Sequence, residues 1–263
     1  MNTKPAYPST EHDQAARAVV DFFSEKVVDA VILTCSCARG RASRDSCLDI
    51  SILLSCEDFT IRRDALERQW VEFYESEEVF GYLHRVGKYS HVDLDFTDGH
   101  FQPQDWGWTG GPDNFELEIG NTLAYSVPLL EQTDHFQKLR DRWLPYYSNQ
   151  LRQKRLAQAR KYCLNNLDHI PLYVKRRLHF QAFHRLYHAL QEFLQALFIS
   201  RRIYPIAYDK WIQEQIEEIL DMPELYSQFV SLLEIAHFES HEIALKARQL
   251  EDLFHKYVLE QHI

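Results

Sequence analysis

Residues 29–54 read DAVILTCSCARGRASRDSCLDISILL, and this stretch decides the fold of the N-terminal half of the chain. Two short apolar runs, DAVILT and LDISILLS, lie on either side of a basic, irregular segment. Apolar, β-branched runs bounded by polar residues are typical of strands. We expect the first strand to end in a small-residue turn at Cys35-Ser36, and the second to begin near Asp49. The stretch therefore predicts a pair of strands joined by a basic linker.

The segments around this strand pair predict a small α/β domain. Residues 11–27 and 60–80 carry apolar side chains at helical spacing. VDLDF, residues 92–96, alternates strictly, which predicts a strand with Asp93 and Asp95 on one face.

A glycine-rich segment and a second alternating run follow this strand. Residues 98–114 hold four of the eight glycines and two tryptophans, which favours a loop that acts as a mobile flap or as a wall beside the substrate. FELEIG, residues 115–120, resumes the alternation and predicts another strand, with Glu116 and Glu118 on one face.

The second half of the chain has a different character. Glycine is absent after Gly120, and helical patterns take over. They cover residues 131–143, 150–166, 171–201, 208–219 and 222–258. The predicted fold class is α+β, with a small mixed sheet and flanking helices in residues 1–130 and an all-helical bundle in residues 131–263.

Composition narrows the function further. The net charge of −10 argues against binding of DNA or RNA, which normally requires a basic face. The polar N-terminus has no apolar core of a signal peptide, and no apolar run reaches the length of a membrane span. We therefore expect a cytoplasmic protein with free thiols and no membrane partner. Cys35, Cys37 and Cys47 lack the spacing of a zinc knuckle.

The order of motifs resembles the nucleotidyltransferase superfamily, which includes polymerase β and the aminoglycoside- and lincosamide-modifying enzymes. That family has a Gly-Ser pair after the first strand, often an Ala-Arg-Gly run, two carboxylates one residue apart and a third carboxylate on a later strand. Here Ser36 matches the serine, residues 38–40 match the Ala-Arg-Gly run, and Asp49 matches the second carboxylate. Asp93 or Asp95 lies where the third belongs. The match covers roughly residues 15–97.

The resemblance implies Mg²⁺-dependent transfer of a nucleoside monophosphate, with AMP from ATP as the expected case, to a hydroxyl of a small molecule or a protein. Magnesium prefers oxygen ligands, so Asp49, Asp93 and Asp95 are the candidate metal ligands. The candidate phosphate-binding residues are Ser36, Arg39 and Arg44.

Three further residues are implied or weighed as parts of the same site. By the resemblance, Glu116 or Glu118 could serve as general base, against the alternative of an exposed strand face. Lys210, near the helix break at Pro205, could contact the pyrophosphate, against the alternative of a solvated corner. The acidic charge is compatible with a cationic small molecule as acceptor, and the sequence leaves a homodimer open.

Two letters depart from the family pattern. Cys35 replaces the glycine of the turn, and Cys47 replaces the first carboxylate. A thiol is a soft ligand that suits Mg²⁺ poorly. Three hypotheses therefore stand: a rearranged metal cluster that works, a catalytically silent nucleotide-binding or interaction module, and a chance pattern. His184 and His188 share a helical face, but the Glu of an HExxH motif is absent.

Overall fold

The structure, a computed structural model, describes residues 5–259 and contains a four-stranded mixed sheet. In chain order its strands are β1 (Ala30–Leu33), β2 (Leu48–Leu53), β3 (Val92–Thr97) and β4 (Val127–Glu131). Their order across the sheet is β3-β2-β1-β4, with β2 parallel to β3 and the other two pairs antiparallel. The predicted α+β class, with its mixed sheet, is confirmed.

Helices account for most of the remaining chain. They are α1 (Thr10–Ser24), α2 (Cys35–Arg39), α3 (Cys56–Ser76), α4 (Glu78–His84), α5 (Phe115–Ile119), α6 (His135–Trp143), α7 (Asn149–Lys175), α8 (His179–Arg201), α9 (Pro223–Ser231) and α10 (Glu242–Phe254). Turns of π-helix cover Gly120–Ala124, Glu214–Ile219 and His255–Leu259. Among residues 5–259, no helix is both long and apolar enough to cross a membrane.

The chain divides into two compact units that interleave along the sequence. The first runs up to Gln102 and also includes Glu118–Pro145. The second includes Pro103–Leu117 and continues from Tyr146. The loop before α5 is thus part of the helical unit, although it lies between two segments of the α/β unit in the sequence.

The first unit is built around the apolar side of the sheet. Its fully buried residues include Val19 and Phe23 of α1, Ile50 and Ile52 of β2, and Phe80 of α4. Removal of these side chains from water is the main force that holds α1, α3 and α4 against the strands.

The second unit is a helical bundle whose largest contact is between α7 and α8. In α8, Phe193, Leu194, Leu197 and Phe198 are fully buried and form much of the core of this unit. Pro171 lies inside α7, which continues to Lys175 instead of ending before the proline.

Several boundaries differ from the sequence prediction. FELEIG does not form a strand, because Phe115–Ile119 is the helix α5. The sheet takes its fourth strand from Val127–Glu131 instead, which the sequence did not indicate as a strand. The helix predicted over 222–258 is broken into α9 and α10, and the helix predicted over 208–219 is a π-helical segment over Glu214–Ile219.

Candidate functional site

The turn after β1 is the start of a short helix. Cys35 and Ser36 open α2, which ends at Arg39, so the predicted small-residue turn and irregular linker contain a helix instead. Cys35 has a φ of 53°, the left-handed conformation that favours glycine. Gly40 also has a left-handed φ, of 72°, and caps α2. The backbone at Cys35 thus has a conformation that glycine adopts more readily than any other residue.

Strands β2 and β3 bring two of the predicted carboxylates together. They pair in parallel with Asp49 opposite Asp93. Neighbouring strands lie about 4.8 Å apart, and residues in register point to the same face. Asp49 is half-buried and Asp93 is exposed. This face therefore carries two adjacent carboxylates, one on each strand.

Asp95 lies one step further along the same face, opposite Ser51. Ser51 Oγ donates a hydrogen bond of 3.1 Å to Asp95 Oδ2. Partial removal of water from the carboxyl raises the pKa of Asp95, and the negative charge of Asp93 adds to the shift, although the bond from Ser51 opposes it. The register thus separates two residues that the sequence left equal: Asp93 is the partner of Asp49, and Asp95 is held by Ser51.

Cys47 directly precedes β2 and lies beside the Asp49 carboxylate. Its Sγ donates to Asp49, at 3.3 Å from Oδ1 and 3.4 Å from Oδ2. Partial burial, with the nearby charge of Asp49, raises the pKa of Cys47 to about 12. At neutral pH the side chain is therefore a neutral thiol, which acts as a hydrogen-bond donor to Asp49.

The linker between α2 and β2 is anchored from two sides. His12, fully buried in α1, makes a hydrogen bond of 3.0 Å through Nε2 with the carbonyl oxygen of Ser46. From the segment before β3, Ser90 Oγ donates to the Arg44 carbonyl oxygen, and the Lys88 amide donates to Asp45 Oδ1. These bonds fix the backbone that leads into Cys47 and Asp49. Sequence analysis missed His12, whose position on the apolar face of α1 was the available signal.

The remaining phosphate-binding candidates surround this linker. Ser36 is buried within α2, Arg39 ends α2 and is half-buried, and Arg44 is exposed in the linker. All three belong to the first unit. Their roles toward a nucleotide stay predictions.

The two adjacent carboxylates suit one Mg²⁺ ion better than a pair of metal ions. Asp49 and Asp93 supply carboxylate oxygens, the ligand type that Mg²⁺ prefers. Within residues 5–259, no group of three or more His, Cys, Asp or Glu side chains is arranged to hold a metal ion. Cys47 and Ser51 each donate a hydrogen bond to one of the predicted ligands, Asp49 and Asp95 respectively.

Glu116 has an environment that the sequence did not predict. It belongs to the second unit and is fully buried. Its carboxylate accepts hydrogen bonds from Arg155 Nε at 2.9 Å, from Arg155 Nη2 at 2.5 Å, from the Tyr147 hydroxyl at 2.9 Å and from Gln195 at 3.1 Å. The alternative of an exposed strand face is wrong for Glu116, which is buried in helix α5, and its role as general base stays a prediction. Glu118 lies in the first unit.

Arg155 is the centre of this buried network. Besides Glu116 it binds Asp113, to which Nη1 donates at 2.8 Å and Nη2 through a second short bond. The bonds and charges of the two carboxylates raise the pKa of Arg155, against the effect of its burial. Sequence analysis missed it, although an arginine between the apolar positions Leu151 and Ala159 of a predicted helix was a signal of a buried ion pair.

The other candidates of the helical half lie apart from this network in their contacts. Lys210 is exposed, and its carbonyl oxygen accepts from Gln215. The rings of His184 and His188 have centroids 4.1 Å apart, which confirms that they share a face. His188 Nδ1 lies 2.5 Å from the Thr109 carbonyl oxygen. Desolvation and the neighbouring His184 lower the pKa of His188.

Comparison with known proteins gives a likeness among solved structures and none among families or curated proteins. No protein-family model and no curated protein matches this chain. Among solved structures, it is similar to a nucleotidyltransferase-like protein from Exiguobacterium sibiricum, with 14% sequence identity and a TM-score of 0.43. The alignment covers 96% of this chain and 79% of that one. A likeness at this level assigns neither a ligand nor an activity to the chain.

Proposed function

We propose that the first unit is a nucleotidyltransferase-type site, in which Asp49 and Asp93 bind one Mg²⁺ ion together with the phosphates of ATP. The observation that carries this proposal is the register of β2 and β3, which places the two carboxylates side by side on one face. The order of elements expected from the nucleotidyltransferase resemblance also supports it, because a residue with left-handed backbone follows β1 and a carboxylate lies at the start of β2.

Five residues of the first unit have roles in the proposed reaction. Asp49 and Asp93 hold the cation, which, when bound, would offset phosphate charge and orient the α-phosphoryl group. Ser36, Arg39 and Arg44 contact the phosphates. An acceptor hydroxyl oxygen forms a bond to the α-phosphorus while the bond to the pyrophosphate oxygen breaks, and the hydroxyl proton passes to solvent. AMP is thereby transferred and pyrophosphate released.

Calorimetry of ATP binding with and without Mg²⁺ tests this function. We expect binding that requires Mg²⁺ in the wild type and is lost in Asp49→Asn and Asp93→Asn. Asp64→Asn, a change at an exposed carboxylate of α3, is the matched control and should bind as the wild type does. ATP binding that is equally strong without Mg²⁺, or unchanged in Asp49→Asn, would contradict the metal site.

The second candidate is a catalytically silent nucleotide-binding module, and the hydrogen bond from Cys47 to Asp49 favours it. A thiol that donates to the Asp49 carboxylate competes with a cation for its oxygens and adds no hard ligand. Cys47→Asp separates the two candidates when ATP turnover is measured. If wild type already transfers AMP to an acceptor, the silent module is excluded. If only Cys47→Asp gains Mg²⁺ affinity and turnover, the native site is silent.

A further inference from the structure

Helix α7, in the second unit, carries a run of positive charge that the proposed function does not use. Between Asn149 and Leu167 there are five Lys and Arg residues and no Asp or Glu, in a chain whose net charge is −10. Lys154 and Lys161 are both exposed and lie seven residues apart, so they share one helical face about two turns from each other. Among residues 5–259, Lys154 makes no ion pair or hydrogen bond through its side chain.

This face of α7 forms one wall of a groove, and the loop that precedes α5 forms the other. The loop contributes Pro103, Gln104 and Asp105. The helix contributes residues between Leu151 and Tyr162, and its polar side chains there are Lys154, Arg155, Gln158, Lys161 and Tyr162. Arg155 is bound to Asp113 and Glu116, which leaves Lys154 and Lys161 as the exposed cationic side chains of this wall.

The shape of the loop is fixed by contacts within the second unit. The Tyr162 hydroxyl donates a hydrogen bond of 2.7 Å to Asp105. The backbone amide of Gln104 donates to Asp113, whose carboxylate is bound by Arg155. The bonds from Tyr162 and the Gly107 amide, together with the charge of Lys161, lower the pKa of Asp105, so this wall residue is ionised and already partnered. The groove is therefore preformed, and Lys154 keeps its charge available for a ligand.

Two tryptophans beside the groove are half-exposed. Trp106 and Trp108 are 51% and 50% exposed. The Trp106 indole nitrogen donates to Gln104 at 2.9 Å, and Lys161 Nζ lies 4.2 Å from the centre of a Trp108 ring. Aromatic faces held in place at a cationic groove are the features on which ring-bearing anions stack and bind.

We propose that this groove, between residues 103–108 and helix α7, binds a small ligand that carries both an aromatic ring and a phosphate group. The lysines contact the phosphate and the tryptophans stack on the ring. A cationic ligand is disfavoured by the same lysines. This site does not depend on the nucleotidyl transfer proposed for the first unit.

Titration of AMP against Asp49→Asn, followed by tryptophan fluorescence and by calorimetry, tests the groove while the proposed metal site is disabled. We expect AMP to bind and to quench the fluorescence, with adenosine and inorganic phosphate each binding more weakly. Adding Lys154→Glu or Lys161→Glu should weaken AMP binding about tenfold or more, because each removes a charged hydrogen bond and introduces repulsion. Trp108→Ala should weaken AMP and adenosine together.

Lys175→Glu is the matched control, since Lys175 is an exposed lysine of α7 outside the groove. It changes the net charge by the same amount and should leave AMP binding unchanged. No AMP binding at millimolar concentration, or equal weakening by Lys154→Glu and Lys175→Glu, would overturn the proposal. Inorganic phosphate that binds as tightly as AMP would overturn the role of the ring. Loss of Mg²⁺-dependent ATP binding in Asp49→Asn leaves these outcomes unaffected, so the two proposals fail separately.

Discussion

Cys35 has a left-handed backbone conformation, which glycine adopts without strain. Its φ of 53° costs an L-residue roughly 1–2 kcal/mol, whereas glycine loses up to about 1 kcal/mol through the greater freedom of its unfolded chain. We therefore expect Cys35→Gly to raise the free energy of unfolding slightly, by up to about 1 kcal/mol, measured by urea denaturation. Cys35→Ala, which keeps the strain, should change it little. A destabilised glycine variant would show that the thiol contributes more than the strain costs.

Glu192 is a fully buried acid whose charge the helical core disfavours. Asn166 donates to its Oε2 at 2.8 Å, and burial raises its pKa from an ordinary 4.5 to about 8, although the Asn166 bond and the charge of Arg185 oppose the shift. Between about pH 4.5 and pH 8, Glu192 is therefore protonated in the folded protein and ionised in the unfolded chain. Stability contributed by this proton is complete below about pH 4.5, falls as the pH rises, and is lost above about pH 8.

Glu192→Gln should remove this dependence. As the pH rises through this range, we expect the variant to gain stability relative to the wild type. The difference between their free energies of unfolding should change by at most about 1.4 kcal/mol per pH unit. Urea denaturation at several pH values measures it, and other titrating groups cancel in the difference. Parallel curves for the two proteins would mean that Glu192 is ionised in the folded state.

At the scale of elements, the turn before β3 and the linker before β2 are packed together without room for a side chain. A Cβ added at Gly87 would lie 2.6 Å from the Arg44 carbonyl oxygen and 2.7 Å from the Asp45 Cα. Because backbone atoms cannot yield as a flexible side chain can, we expect Gly87→Ala to destabilise the protein by about 1–3 kcal/mol, measured by thermal unfolding. It should also weaken ATP binding, since the linker leads into Asp49.

Gly81 provides the matched control for this prediction. A Cβ there meets only a side-chain atom of Arg85, at 3.9 Å, and the residue lies inside helix α4. Alanine is favoured over glycine in a helix by about 1 kcal/mol, so Gly81→Ala should stabilise. If both alanine variants behaved alike, the linker would not be held by the turn at Gly87.

The elements also show what the sequence could and could not predict. Strands β1, β2 and β3 were predictable because β-branched runs and strict alternation are local signals. The alternation of FELEI was misleading, because five residues do not separate a strand from one turn of helix. In the helix, Glu116 is bonded to Arg155, which lies 39 residues away in the chain and gives no local signal. The register that pairs Asp49 with Asp93 depends on contacts between strands, so the sequence left Asp93 and Asp95 equal.

At the scale of the whole molecule, segments of the two units alternate along the sequence, so no single cut in the chain separates the units. A fragment of residues 131–263, the predicted helical domain, lacks Asp113 and Glu116 and leaves Arg155, which is 4% exposed, without either carboxylate. Removing the partners of a buried charge costs about 3–5 kcal/mol. We expect this fragment to be helical by circular dichroism but to unfold without a sharp transition.

A synthetic peptide of residues 103–117, added to this fragment, should restore cooperative urea unfolding, because it supplies both carboxylates and the apolar side chain of Leu117, which packs against the helical core. The matched peptide with Asp113→Asn and Glu116→Gln keeps the shape and loses the charges, so it should restore much less. If the fragment alone unfolded cooperatively, with the same midpoint in the presence of either peptide, the helical bundle would be stable without the Arg155 network. The division at residue 130 would then describe an independent domain.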